Sequence, residues 1–102
     1  MSRNYFVYIV TNLNKSVLYI GVTGDLVRRM SEHYLGFYEG FTKKYQCKYL
    51  IWYQHYSDIN LAIRREKQLK KWSRHKKEEL VSALNPEWKF LNESVPFIIS
   101  VY

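Results

Sequence analysis

The sequence predicts an α+β fold, an α/β sandwich in which a three-stranded, mainly antiparallel sheet is flanked by helices, in the order β-β-α-β-α-α. Three observations predict it. Two runs rich in β-branched and aromatic residues stand close together near the start of the chain, with only a polar turn between them. A third such run follows one helical stretch and precedes two more. The first two runs are apolar at consecutive positions rather than alternate ones, which asks for helices on both sides of the sheet.

The first strand is Tyr5-Phe6-Val7-Tyr8-Ile9-Val10, and the polar group from Thr11 to Ser16 turns the chain into the second, Val17-Leu18-Tyr19-Ile20-Gly21-Val22. Thr23-Gly24-Asp25 offers turn and capping chemistry, after which Leu26, Val27, Met30 and Tyr34 fall at helical spacing as far as Gly36. An irregular segment containing Gly40, Lys43 and Lys44 leads to the third strand, Lys48 to Tyr56. Ser57-Asp58 caps a second helix running to about Trp72, and a third spans Lys76 to Leu84, stopping before Asn85-Pro86. The domain is expected over residues 1–94, with an apolar C-terminal tail at 95–102.

With 102 residues the chain supports one core rather than two, so any site is built within one domain. An apolar share of 47%, 18% of the chain being aromatic, excludes a disordered chain. Cys47 is the only cysteine, which excludes an internal disulfide and an all-cysteine zinc site and suits a reducing, cytoplasmic setting. No run approaches membrane-spanning length, so no membrane association is expected. A net charge of +7 attracts polyanions, and nucleic acid leads the candidate partners. The charge is concentrated: Arg64, Arg65, Lys67, Lys70, Lys71, Arg74, Lys76 and Lys77 crowd the second and third helices. A block of this kind is commonly a solvated face. Its position beside the helix bearing Glu66 favours a phosphate-tracking surface, with Lys43 and Lys44 as a second rim.

Glu66 is the most informative acid. It projects into the arc of Ile59, Ala62, Ile63 and Leu69, where a carboxylate needs a compensating partner: a metal ion, or an ion pair with Arg29 or a lysine. The remaining acids stand at helix starts, on charged surfaces or without an acidic neighbour, too few for a two-metal centre. One glutamate with a water-rich magnesium shell remains feasible. Arg29 and His33 share a helix face at the rim of the apolar stripe, where arginine can hold a phosphate and histidine can move a proton. Tyr8 and Tyr19 suit paired strands as packing residues. Beside Gly21, they can also present two phenols to one site. Asn85 either supplies an amide donor or ends the third helix before Pro86.

At these residues the sequence resembles the GIY-YIG endonuclease superfamily. Val7-Tyr8-Ile9 stands at the first name-giving motif in a degenerate form, and Tyr19-Ile20-Gly21 matches the second in full. Arg29, His33 and Glu66 follow in order, and the likeness covers roughly residues 5–91. It extends to Gly40-Phe41-Thr42-Lys43-Lys44-Tyr45, Lys67-Gln68-Leu69-Lys70-Lys71-Trp72 and Asn85-Pro86-Glu87-Trp88, which look like small free-standing members. The resemblance implies an endonuclease hydrolysing phosphodiester bonds in DNA, including branched, flapped or single-stranded forms met in repair or processing. By the same resemblance, Glu66 would hold one divalent cation, Mg²⁺ or Mn²⁺. Arg29 would stabilise the charged transition state, either Tyr8 or Tyr19 would orient or deprotonate the water, and His33 would assist proton transfer or contact the phosphate. The alternative is a nucleic-acid-binding module that keeps the nuclease fold with little catalytic activity.

Overall fold

The computed structural model describes residues 3–36 and 40–93; the apolar tail at 95–102 lies outside them. Strand β1 (Tyr5–Thr11) pairs antiparallel with β2 (Leu18–Thr23) on one side and with β3 (Tyr49–Tyr56) on the other, giving the order β2-β1-β3. The turn between β1 and β2 is held by Asn12, whose side-chain oxygen accepts from the backbone N–H of Ser16 at 2.9 Å and of Val17 at 3.0 Å. Between β1 and β3 the register shifts after Ile9, so that Ile9 faces Trp52 while Val10 faces Leu50. Ile51 is thereby the extra residue of a β-bulge.

Helix α1 (Leu26–Leu35) begins where Asp25 accepts from Arg28 N–H at 3.1 Å. It ends at Gly36, whose left-handed backbone returns an N–H to the carbonyls of Glu32 and His33. A single-turn helix, α2 (Phe41–Lys44), occupies part of the stretch that the sequence leaves irregular. Its apolar content is too low to announce a helix, and a bond from Cys47 N–H to Thr42 O at 2.9 Å ties it to the start of β3. Helix α3 (Ile59–Lys70) is capped by Asp58. Helix α4 (Arg74–Leu84) starts two residues before the expected Lys76, because Ser73 is the cap and accepts from Lys76 N–H at 3.2 Å.

Consecutive β1 residues feed different layers, which is why both faces of the hairpin are apolar. Val7 and Ile9 pack with Ile20, Ile51, Trp52, Ala62, Leu69 and Val81 beneath α3 and α4. Tyr8 and Val10 pack with Leu26, Met30, Cys47 and Leu50 beneath α1. The segment after α4 covers the outer edge of β3: Asn85 Nδ2 donates to Ile51 O at 2.9 Å, and Asn92 Oδ1 accepts from Leu50 N–H at 2.9 Å. The edge strand is thus closed to pairing with another chain at these positions.

Candidate active site

In the register of the hairpin Tyr8 lies opposite Gly21, and Val10 opposite Tyr19, so both tyrosines and the glycine share the face under α1. Gly21 is there for space. A Cβ at that position would land in the Tyr8 phenol, so only glycine lets the ring lie across β2. The Tyr8 hydroxyl reaches His33 Nε2 on α1, a separation of 3.0 Å, and the two rings meet edge to face at 5.6 Å. The Tyr19 ring stands 6.1 Å from the same imidazole. The two phenols are not equivalent, because Tyr8 is 1% exposed whereas Tyr19 is only partly buried.

His33 is not the rim residue that helical spacing suggests. It is 4% exposed, since the Tyr8 phenol reaches up from the sheet to meet it. Burial, reinforced by the Arg29 guanidinium one turn away and opposed by Glu32, pushes its pKa down to about 4. The imidazole is therefore neutral at physiological pH, able to accept or donate a hydrogen bond and weak as a proton carrier. Arg29 does stand at the rim, its side chain 29% exposed, with Nε 3.6 Å from Glu32 Oε1. The same glutamate meets Arg28 at 3.7 Å. Glu32 thus orients the arginine pair, a role that sequence reasoning missed although the turn spacing was visible.

Glu66 stands on α3, in the layer over the other face, between Ala62 and Leu69 of the buried stripe. Its side chain is 15% exposed, and the partner that the sequence requires is Lys70, with Nζ 3.2 Å from Oε2, rather than Arg29. Helix α3 packs across β1 and β2, the strands carrying the two tyrosines, and β2 is an edge of the sheet. Among the described residues no three histidines, cysteines or acids converge on one point. One accessible carboxylate fits a hard cation whose remaining positions are filled by water and substrate oxygens; it does not fit zinc, which needs three or four protein ligands.

Asn85 belongs to neither side of this arrangement. Its amide donates to Ile51 O and Lys89 O and accepts from Lys89 N–H, so every polar group serves to end α4 and anchor the following segment. The basic block divides in the same way. Arg74 clasps the hairpin turn, donating to the carbonyls of Lys15 and Ser16 at 2.9 Å, and pairs with Glu78. Arg65 lies over the Trp72 ring and bonds Gln68, and Lys76 approaches the same ring. Arg64, Lys67 and Lys71 extend from α3 into solvent, and Lys77 is partly buried on α4. Lys43 and Lys44, both exposed on α2, lie on the α1 side of the sheet.

Residues 4–79 match the family described as GIY-YIG catalytic domain. A UPF0213 protein of Syntrophus aciditrophicus is 36% identical over 88 residues, covering 85% of this chain and 98% of the relative. One from Vibrio parahaemolyticus is 33% identical over 81 residues, covering 79% of this chain and 76% of that protein. The solution NMR structure of a UPF0213 protein from Bacillus halodurans is similar at a TM-score of 0.53 and 29% identity, over 95% of this chain and 93% of that one. The matched stretch carries the hairpin tyrosines, Gly21, Arg29, His33 and Glu66, and the chain belongs to the GIY-YIG nuclease family.

Proposed function

We propose that this protein is a metal-dependent endonuclease that hydrolyses phosphodiester bonds in DNA. The observation that carries the reading is the convergence of Tyr8, Tyr19, His33 and Arg29 on one face of the sheet, with Glu66 as the carboxylate of the largely apolar layer over the other. A buried histidine held well below its ordinary pKa, beside an arginine and two phenols, is the kind of perturbed group that clusters at functional sites.

Phosphoryl transfer needs an aligned nucleophile, neutralisation of charge on the phosphate and a path for protons. Tyr19 is the accessible phenol; its oxygen orients the attacking water and takes up the water's proton as it passes its own hydroxyl proton to solvent. Tyr8, buried and bonded to His33, is a positioning residue that fixes the imidazole against both rings. Arg29, steered by Glu32, faces the phosphate and offsets the charge that develops on it. Glu66 would hold the divalent cation, with Lys70 giving way as the cation arrives. When bound, that ion supplies Lewis acidity toward the phosphate oxygens. The exposed cations of α3 hold neighbouring phosphates without reading sequence.

The test is an assay of the purified chain on labelled linear, flapped and branched DNAs, with Mg²⁺, Mn²⁺ or chelator, beside Glu66→Gln. The expected outcome is divalent-dependent cleavage that falls by at least about 100-fold in the variant, while DNA binding and melting temperature stay near those of the parent. Binding without cleavage under every divalent condition would instead identify a nucleic-acid-binding module on a nuclease fold.

A further inference from the structure

We propose that the cleft between the C-terminal end of α1 and the α2 turn is a subsite for one nucleotide of the substrate strand, next to the bond that is cut. The cleft has a volume of about 360 Å³ and is lined by Lys43, Lys48, Thr42, Gln46 and Leu35, with the buried His33 at its base. That volume lies within the range of small-ligand sites, roughly 300–1,000 Å³.

Its chemistry matches the parts of a nucleotide. Lys43 and Lys48 supply positive charge, and among the described residues no carboxylate lines the wall, so a phosphate is the favoured anion. The Gln46 amide and the Thr42 hydroxyl offer directional hydrogen bonding, and Leu35, 60% exposed, gives an apolar surface for a sugar or base. Next in sequence to lining residues stand Tyr34, with the lining Lys48 5.8 Å from its ring centre, and Tyr45, with Lys44 5.4 Å from its own. Tyr34 and Tyr45 are 55% and 40% exposed, an alternation of cation and aromatic ring that suits phosphate and base together. His33 connects this cleft to the Tyr8 hydroxyl, so an occupant would lie one side chain from the candidate active site. The purpose of the subsite rests on the nuclease reading, whereas its existence does not.

The experiment is a ¹H–¹⁵N NMR titration of the full chain, in chelator, with thymidine 5′-monophosphate, inorganic phosphate and thymidine in separate arms. The nucleotide should shift the amides of Thr42 to Lys48 and bind about 10-fold or more tightly than either fragment. Lys43→Gln with Lys48→Gln should lose at least that factor, and Lys43→Gln alone should lose part of it, each spectrum itself showing that the fold is kept. Equal binding of phosphate and nucleotide would reduce the cleft to an anion patch and overturn the proposal, as would shifts confined to α3. Divalent-dependent DNA cleavage by a chain that does not bind the nucleotide would remove the subsite and leave the nuclease assignment standing. Nucleotide binding by a chain that cleaves no DNA would do the reverse.

Discussion

On β1, Ile9 points into a layer of Ile20, Trp52, Ala62, Leu69 and Val81, while its neighbour Tyr8 points into one that contains a histidine and a second tyrosine. The same strand therefore feeds two layers of different composition. Under α3 and α4 the contacts are apolar and interchangeable in kind, so that layer stabilises by area removed from water. Under α1 the Tyr8 hydroxyl meets His33 Nε2 and Tyr19 faces the same imidazole, so a change of one atom there alters chemistry more than volume. Strand parity separates the apolar layer from the tyrosine–histidine cluster, and Glu66 on α3 is the one candidate site residue that stands on the apolar side.

The separation is open to direct attack. Tyr19→Phe removes one oxygen from the α1 side, and cleavage should fall by about 10²- to 10⁴-fold with little change in melting temperature, if the phenol handles the proton of the attacking water. Cleavage at the parental rate would reduce Tyr19 to packing. Leu69→Ala makes the opposite cut: this fully buried side chain belongs to the apolar layer, and its truncation should cost about 2–5 kcal/mol of unfolding free energy in urea titrations. The folded fraction should still cleave normally.

Acid should distinguish the layers next. His33 carries a folded-state pKa depressed from 6.5 to about 4, chiefly by burial and then by Arg29, so the unfolded chain binds the proton first. Its contribution is complete above pH 6.5 and is lost as pH falls through 4, amounting to about 3 kcal/mol. Denaturation midpoints across that window, with the imidazole followed by NMR, check both sign and range. His33→Gln should flatten the slope. The smallest effect expected is that of Tyr8→Phe, which leaves His33 Nε2 without its phenol and costs about 1–3 kcal/mol. As a positioning change it should also move the His33 titration, a readout that loss of packing alone does not produce.

The strands, α1, α3 and the sandwich were legible because each is written in local pattern: consecutive apolar runs for covered strands, helical spacing after Asp25 and Asp58. The start of α4 was misjudged because Ser73 is a short cap inside a basic run, and α2 because a single turn has no periodicity to detect. The division of labour within the basic block was also out of reach, since the partners of Arg74 are backbone carbonyls in the distant hairpin turn.

What the sequence determined by itself is the set of chemical groups and the faces of the elements that carry them. Tyr8, Tyr19, Gly21, Arg29, His33 and Glu66 follow from residue type and local period, because a strand alternates every residue and a helix returns every turn. Only the tertiary structure decided which groups meet. Burial of His33 requires the sheet beneath α1 to bring up the Tyr8 phenol, and Gly21 admits that phenol by lacking a side chain. The inequality of the two tyrosines and the choice of Lys70 as the partner of Glu66 likewise depend on distance and solvent access. These are properties of three-dimensional packing, and no periodicity along the chain encodes them.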